Sequence, residues 1–460
     1  MIVDLIEALY RLLWGDLFTL PVAGGIGISF MVVLLFAAGI GFTLRTRLLP
    51  VRLFRDMIAA VCEKNQSRDS LSSFQTLIVS TATRVGMGNL VGVVAAVSAG
   101  GAGAVFWMWV TALLGASTSF VESTLAQKYR QPDPLYGGQR GGPAYYIHVL
   151  AERKRGKKLR HSIIAVLFAI SGLICWRGIS QVISNSVSSA FANAFSIPPI
   201  VTTVVLVVLS AVIVLRKDAT VKSLDVIVPI MAVCYFVMTV IIIAVNFRQL
   251  PAVLGRIFSE AFGLRQVAAG GFGAVLMNGV KRGLFSNEAG MGSTPHAHAL
   301  AHVKQPHDQG VIAMVGVFID TFVVLTLTAL VVISGLYTDG GVLASGAAEG
   351  VSKTNMAQLA FTTVFGHGVA SVFVAVSLLF FAFSTILSWN LFAKINVTYL
   401  FGAKAAKVFS CMAVVFVFLG SCLSNDLVWE LADMFNNLMV IPNALALFAL
   451  SAVVVKELKG

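Results

Sequence analysis

The chain has 460 residues, of which 57% are hydrophobic and only 12% charged, where a soluble domain carries about 25% charged residues. Such a chain cannot cover several globules with polar surface, so its solvent is largely lipid; secreted disulfide scaffolds, disordered regulators and soluble enzymes are excluded. The net charge of +12, from 33 Lys+Arg against 21 Asp+Glu, is distributed as a membrane orientation requires and not as a nucleic-acid patch.

In chain order, residues 1–20 come first as an amphipathic segment. Ile2–Phe18 mixes Asp4, Glu7, Arg11 and Asp16 with large apolar residues and reads as an interfacial helix, not a signal peptide. Apolar runs follow at about 21–44, 71–99, 102–121, 162–192, 199–215, 226–246, 266–300, 311–335, 365–393, 405–424 and 427–455. The uncharged stretch 178–215 divides at Pro198-Pro199, where a helix cannot continue. The run 266–300 holds Lys281, Arg282 and Glu288 and reads as one interrupted span. These runs predict an all-α polytopic membrane protein of about eleven transmembrane helices. Five cysteines without a C-x-x-C pair predict no structural disulfide.

Loop charge orients the spans. With the N-terminus outside, the inner loops hold 24 Lys+Arg and the outer loops five, which satisfies the positive-inside rule and puts the C-terminus inside. The basic run Arg153–Arg160 then faces anionic lipid at the inner leaflet, so no nucleic-acid partner is expected. His296, His298, His302 and His307 lack metal-site spacing and are read as solvated loop histidines. Phe106-Trp107-Met108-Trp109 reads as a packing or anchoring group near the outer interface.

The second and seventh spans each carry Gly-Met-Gly followed by a small polar residue: Arg84-Val85-Gly86-Met87-Gly88-Asn89 and Ser286-Asn287-Glu288-Ala289-Gly290-Met291-Gly292-Ser293. Glycines there interrupt a helix and free main-chain N–H and C=O groups, which need protein, ion, water or substrate partners inside a membrane. One Gly-x-Gly alone would read as close helix packing. Two at matching places point to an inverted repeat of five plus five helices, 71–246 and 266–456, preceded by an extra helix at 21–44. Interrupted helices at matching positions of two such halves mark a transporter site.

At these residues the sequence resembles the alanine or glycine:cation symporter family, also called the sodium:alanine symporter family. The blocks are VGMGNLVG at Val85–Gly92, GAVFWMWVT at Gly103–Thr111, Lys128–Arg130 with Gly141-Gly142-Pro143, and RGLFSNEAGMGST at Arg282–Thr294. FIDT at Phe318–Thr321, FAFSTIL at Phe381–Leu387 with Trp389, and LADMFNNLMVIP at Leu431–Pro442 complete them. The resemblance implies a LeuT-like fold and sodium-coupled uptake of a small neutral amino acid, alanine or glycine, across the cytoplasmic membrane. It implies no other cofactor, and no obligate protein partner is evident. The chain departs from the family pattern at Ile183, where a glutamine expected to face substrate usually stands, and at Asn390-Leu391-Phe392-Ala393. Arg84 stands where many members have Thr.

Candidate site residues follow. Freed N–H groups around Gly86, Gly88 and Asn89 suit a substrate carboxylate, and carbonyls near Ser286 and Asn287 suit its ammonium; capping of the broken ends is an equal reading for the three side chains. Sodium prefers hard oxygen ligands. The resemblance implies Ser384 and Thr385, with the backbone of Thr83 and Gly86, for the ion, and Trp389 one turn on beside the substrate or its gate. Arg84 and Glu288 flank the two breaks and are expected to pair, directly or through water, with Asp320 as an alternative partner of Arg84 or Arg177. Glu430 and Asp433 read as vestibule or interface residues. Proton coupling through Glu288 or Asp320 is the alternative within transport; a channel and an intramembrane hydrolase are the readings from other classes. No nucleophile–base pair supports an enzyme, and no Walker A segment supports an ATP-driven pump.

Overall fold

The computed structural model describes residues 11–20, 26–62, 71–133, 138–214, 219–263, 271–337, 341–343, 351–419 and 425–458. The first part of the expected interfacial helix, residues 1–10, lies outside them. The second part is different from expectation: residues 11–14 are helical, but Gly15 ends the turn and β1 (Asp16–Leu20) pairs antiparallel with β2 (Ile26–Ser29). Leu-Phe-Thr-Leu is rich in strand-favouring residues, and the glycines at 24, 25 and 27 disfavour a helix. The extra helix therefore starts late, as α1 (Phe30–Arg45), capped by the Ser29 hydroxyl accepting from Val32 N at 3.3 Å.

A short helix, α2 (Phe54–Cys62), leads to the first interrupted span. That span is α3 (Ser73–Arg84), a break at 85–87, a π-helical turn Gly88–Gly92, and α4 (Val93–Gly100), with a bend of 49°. Ser72 and Gln75 form a reciprocal capping box at its start. Next come α5 (Ala104–Lys128), α6 (Pro143–Arg155), α7 (Ile163–Phe195), α8 (Pro199–Val214), α9 (Ala219–Val245) and α10 (Leu250–Ala261). The division between α7 and α8 falls at the proline pair, with Ser196 in the left-handed region. The second interrupted span is α11 (Gly271–Asn287), a break at 288–294 and the single turn α12 (Pro295–His298).

The remaining helices are α13 (Pro306–Val317), continued by π-helical Phe318–Leu325 and α14 (Thr326–Leu336), then α15 (Lys353–Ala360), α16 (Thr362–Phe401), α17 (Ala405–Leu419) and α18 (Asn425–Glu457). Among the described residues, six unbroken helices are long and apolar enough to cross a membrane, and the bent pair α3/α4 makes a seventh. The protein is a multi-pass membrane protein.

Burial is arranged for lipid. The helices α8 and α9 expose Val204, Val205, Val208, Ile230, Val233 and Phe236, whereas α5 buries Ser117, Ser119, Glu122, Ser123 and Thr124. Polar groups inside and aliphatic groups outside is what hydrocarbon solvent selects. The aromatic group on α5 packs as expected: Trp107 Nε1 donates to Ala261 O at 3.0 Å and Trp109 Nε1 to Thr326 Oγ1 at 2.9 Å. The α11 helix is tied to α18 by a buried carboxylate, since Asp433 accepts from Arg282 at 2.9 and 3.1 Å and lies 2.8 Å from Lys281 Nζ. Asp433 thus joins two helices, in keeping with the interface reading of the two given for it; the Glu430 side chain lies outside the described residues.

Removing one partner of a buried ion pair costs about 3–5 kcal/mol. Asp433→Ala should therefore lower the thermal unfolding temperature of the detergent-solubilised protein by several degrees. Asp433→Glu should recover part of that loss, and an unchanged melting curve for Asp433→Ala would show that the pair does not hold α11 to α18.

Candidate functional site

The first break begins where Val85 leaves the helical region at ψ 87. Gly86 and Gly88 then permit close approach. A Cβ on Gly86 would stand 2.8 Å from Thr385 Oγ1, and one on Gly88 would meet Phe285 and the Ser286 backbone at 3.2–3.3 Å. The second break turns on three left-handed residues, Glu288 (φ 54), Gly290 (φ 86) and Gly292 (φ 86). A glutamate in that region is uncommon and costs on the order of 1–3 kcal/mol, so its surroundings must hold it. They do: Glu288 Oε2 takes hydroxyl hydrogen bonds from Ser293 and from Thr83, the latter at 3.2 Å, and Asn287 Oδ1 accepts from Ala289 N at 3.0 Å.

Arg84 ends α3 and is 1% exposed. Its Nε donates to Asn287 O at 2.8 Å, Nη1 to Ala313 O at 3.3 Å, and Nη2 to Ser119 Oγ at 2.9 Å and Thr294 Oγ1 at 3.0 Å. These partners are two carbonyls and two hydroxyls, so of the two expected forms of pairing with Glu288, direct or through water, the direct one is not found. The turn at Glu288 sends its carboxylate to Thr83 and Ser293 instead, while the main-chain oxygen of Asn287 meets the guanidinium. Gly316 on α13 leaves room for this, because a Cβ there would overlap Nη1.

Asp320 pairs with neither arginine named for it. It accepts from Asn89 Nδ2 at 2.6 Å, Ser286 Oγ at 3.0 Å and Thr321 Oγ1 at 2.8 Å, and Ser286 Oγ also lies 2.7 Å from Asn89 Oδ1. Asn89 and Ser286 thus join the two interrupted spans to each other and to the π-helical segment of the eighth predicted span. Arg177 instead lies over the Phe409 ring, 4.3 Å from its centroid. On α16, Thr385 Oγ1 donates to Ala82 O at 3.1 Å, one residue before Thr83, whereas Ser384 Oγ bonds back to Phe381 O at 3.0 Å and lies 3.4 Å from Ala82 O. Trp389 is buried one turn further on, and its indole N–H has no hydrogen-bond partner among the described residues; nor have Asn287 Nδ2 and Glu288 Oε1.

Three site residues escape the sequence reading. Glu122 accepts from Gly290 N at 3.1 Å and from Asn443 Nδ2 at 3.0 Å, Asn443 also donates to Gly290 O at 2.9 Å, and Tyr146 donates to Asn443. Together they hold the middle of the second break. The apolar run 102–121 ends just before Glu122, which points to a loop there, yet α5 continues to Lys128. The available signal was the small-polar sequence on both sides of the acid, Ser117–Ser119 and Ser123-Thr124, which suits a buried helix face. Two of the four histidines also differ from expectation. His296 and His298 are fully buried; His296 lies between Phe168 and Phe392 with its ring nitrogens 2.7 Å from Ser293 O and Asn396 Nδ2, and His298 Nδ1 is 2.9 Å from Gln309 Oε1. Among the described residues no group of His, Cys, Asp or Glu could hold a metal ion.

Two interrupted helices packed break against break, with surrounding helices supplying their missing hydrogen-bond partners, define a transporter of LeuT-like fold. MhsT in complex with L-phenylalanine shares that fold at a TM-score of 0.54 and 12% identity, over 84% of this chain and 90% of that one. The sodium:alanine symporter family matches residues 20–460, and the chain belongs to that family. It is 38% identical over 433 residues to a probable sodium/glutamine symporter, GlnT, of Bacillus subtilis, covering 93% of this chain and 87% of that protein. It is 36% identical over 437 residues to the sodium/alanine symporter AgcS of Methanococcus maripaludis, covering 94% of each. It is a transporter of the symporter class and not an enzyme.

The Arg84 seat makes a specific expectation. Gly316→Ala should cost about 1–3 kcal/mol by overpacking in the wild type and little in an Arg84→Ala background, a non-additive cycle read by thermal unfolding. Arg84→Lys should not rescue, because an ammonium cannot reproduce a planar fork serving four acceptors. Additive effects of Gly316→Ala and Arg84→Ala would show that Gly316 is not there to admit the guanidinium.

Proposed function

We propose that the protein imports a small neutral amino acid, alanine or glycine, with sodium across the cytoplasmic membrane by alternating access, N-terminus outside and C-terminus inside. The observation that carries this reading is the close approach of the first interrupted span at Gly88 to the second at Ser286, each within two residues of its break. In this reading 71–246 and 266–456 are the two repeats. Gly86 and Gly88 present N–H donors to the substrate carboxylate, with the Asn89 side chain beside them because its own main-chain N–H donates to Gly86 O at 3.1 Å. Ser286 and the remaining lone pairs at Asn287 present acceptors to its ammonium, and Trp389 closes over it. Binding would then exchange the Asn89–Ser286 contact for contacts with substrate.

Sodium would be held by Ser384, Thr385 and carbonyl oxygens of the Thr83–Gly86 region. Support for this comes from the donor chemistry. Two hydroxyls of α16 already converge on one carbonyl oxygen of α3, and Gly86 lets Thr385 approach the break. An ion there binds α16 to the first broken helix, so its affinity differs between conformations in which those parts are together and apart; coupling requires that difference. Arg84, Glu288 and Asp320 are the gating and positioning charges.

Purified protein in liposomes should take up alanine or glycine saturably when an inward sodium gradient is imposed. Phenylalanine and leucine should be poor substrates, and glutamine belongs in the panel because one relative is named for it. Sodium-independent uptake driven by a pH gradient would replace sodium by proton coupling. No concentrative uptake under either gradient would sink the symport reading.

Thr385→Ala should weaken sodium activation roughly tenfold, equivalent to about 1.4 kcal/mol, with a smaller fall in maximal uptake. Thr328→Ala is the control, since that hydroxyl bonds Val324 O at 2.9 Å and Tyr235 at 2.7 Å, away from the breaks. Unchanged sodium dependence in both Ser384→Ala and Thr385→Ala, at normal expression, would remove these hydroxyls from the ion site.

A further inference from the structure

A groove of about 440 Å³ runs down the outside of the bundle between α5, α13 and the segment that links α1 to α2. Its walls are apolar throughout: Val51, Phe54 and Met57 below, Leu113 and Ala116 on α5, Phe318 and Phe322 on the π-helical segment. Several of these face outward, with Val51, Phe54, Leu113 and Phe318 all exposed. Phe54 meets Phe318 edge-on at 5.7 Å and Phe318 stacks on Phe322 at 5.5 Å, so the aromatic wall is continuous from the linking segment upward.

One end of the groove is strongly basic. Arg47, Arg52 and Arg55 are exposed within nine residues, Arg52 also donating to Thr46 O at 3.4 Å, while Arg45 turns to Ser451 on α18 and the acids Asp56 and Asp308 line the adjoining pocket. Arg47 and Leu48 both adopt left-handed backbone, at φ 57 and φ 55. Two successive non-glycine residues in that region are costly, and the sharp turn they make brings α1 back so that Pro50, Val51 and Phe54 can line the groove. Arg52 and Arg55 are three apart and form a stripe beside the Val51/Phe54 stripe. The positive charge therefore borders the groove at its lower end.

We propose that this groove is a binding site for one anionic phospholipid. An acyl chain lies along Phe54, Leu113, Phe318 and Phe322, and the phosphate is met by Arg47, Arg52 and Arg55. Apolar walls fit the chain, and a net charge of this sign next to them selects the headgroup. The site is separate from the meeting point of the breaks, although Phe318 and Phe322 belong to the same π-helical segment as Asp320.

Native mass spectrometry of the intact detergent-purified protein tests it, with phosphatidylglycerol and phosphatidylcholine of identical acyl chains added at equal concentration. The wild type should retain phosphatidylglycerol in preference to phosphatidylcholine. Each arginine near an anionic surface contributes about five-fold to binding, so Arg47→Gln/Arg52→Gln/Arg55→Gln should abolish the preference. Ala116→Phe should fill the groove and lower retention with all the arginines in place, which keeps the test open if the triple variant misfolds. Arg248→Gln/Lys404→Gln/Lys407→Gln, which removes three exposed charges elsewhere on the surface, should leave the preference unchanged. Equal retention of the two lipids by the wild type, or a preference lost equally in that control variant, would overturn the assignment.

Discussion

The guanidinium of Arg84 is the constraint around which the centre of this protein is organised. It closes the end of α3, caps the last carbonyl of α11, and reaches hydroxyls on α5 and at Thr294, with a further carbonyl on α13. An arginine cannot shed its charge, so burying it requires acceptors for its fixed fork of donors. The two interrupted helices supply such acceptors because their hydrogen-bond ladders stop there. The cation and the breaks therefore satisfy each other. Gly316 and the short Ser119 and Thr294 side chains follow from the same requirement for space and oxygen.

Three buried carboxylates divide the remaining freed groups. Glu288 links the second break to Thr83 of the first, Asp320 gathers Asn89 and Ser286, and Glu122 takes the amide of Gly290. Two kinds of bond result. Thr83–Glu288 and Asn89–Ser286 join the breaks to each other, whereas Ser119, Glu122, Asp320 and Asn443 join them to surrounding helices. Moving the broken pair as a body preserves the first kind and must exchange the second. Because a buried polar group without a partner is expensive, such motion needs replacement partners at each stage. That requirement favours two discrete arrangements over a continuum.

The same economy of polar groups explains the exterior. Asp433 neutralises two cations between α11 and α18, so charge inside the bundle is tied to helix contacts, and the lipid-facing helices are left aliphatic. The exposed arginines lie where α1 turns into α2, at the edge of the apolar groove. The charges at the breaks and between α11 and α18 are thus enclosed by hydrogen-bond partners, whereas buried Arg177 lies over the Phe409 ring and the arginines where α1 leads into α2 lie beside apolar surface.

The order of spans, the two interruptions and the family were legible in the sequence because each rests on local properties. Apolar run length fixes a membrane span, Pro198-Pro199 fixes the division of α7 from α8, and paired Gly-Met-Gly fixes the interruptions. Ser384 and Thr385 facing the first break, and Asn89, Ser286 and Asp320 lying at the centre, were legible as residues but not as partners. The N-terminal hairpin was missed because short mixed stretches fit a helical and an alternating period equally well. Glu122, Asn443 and Tyr146 were missed because a charge after an apolar run looks like the start of a loop, and only packing shows that α5 carries it inside. The exchange of Glu288 for carbonyls and hydroxyls around Arg84 was decided by the left-handed turn at Glu288, which sets where each oxygen points. The sequence by itself determined which groups would be freed in the membrane; the tertiary structure decided which partners they found, because hydrogen bonding depends on direction and distance across helices that are far apart in the chain.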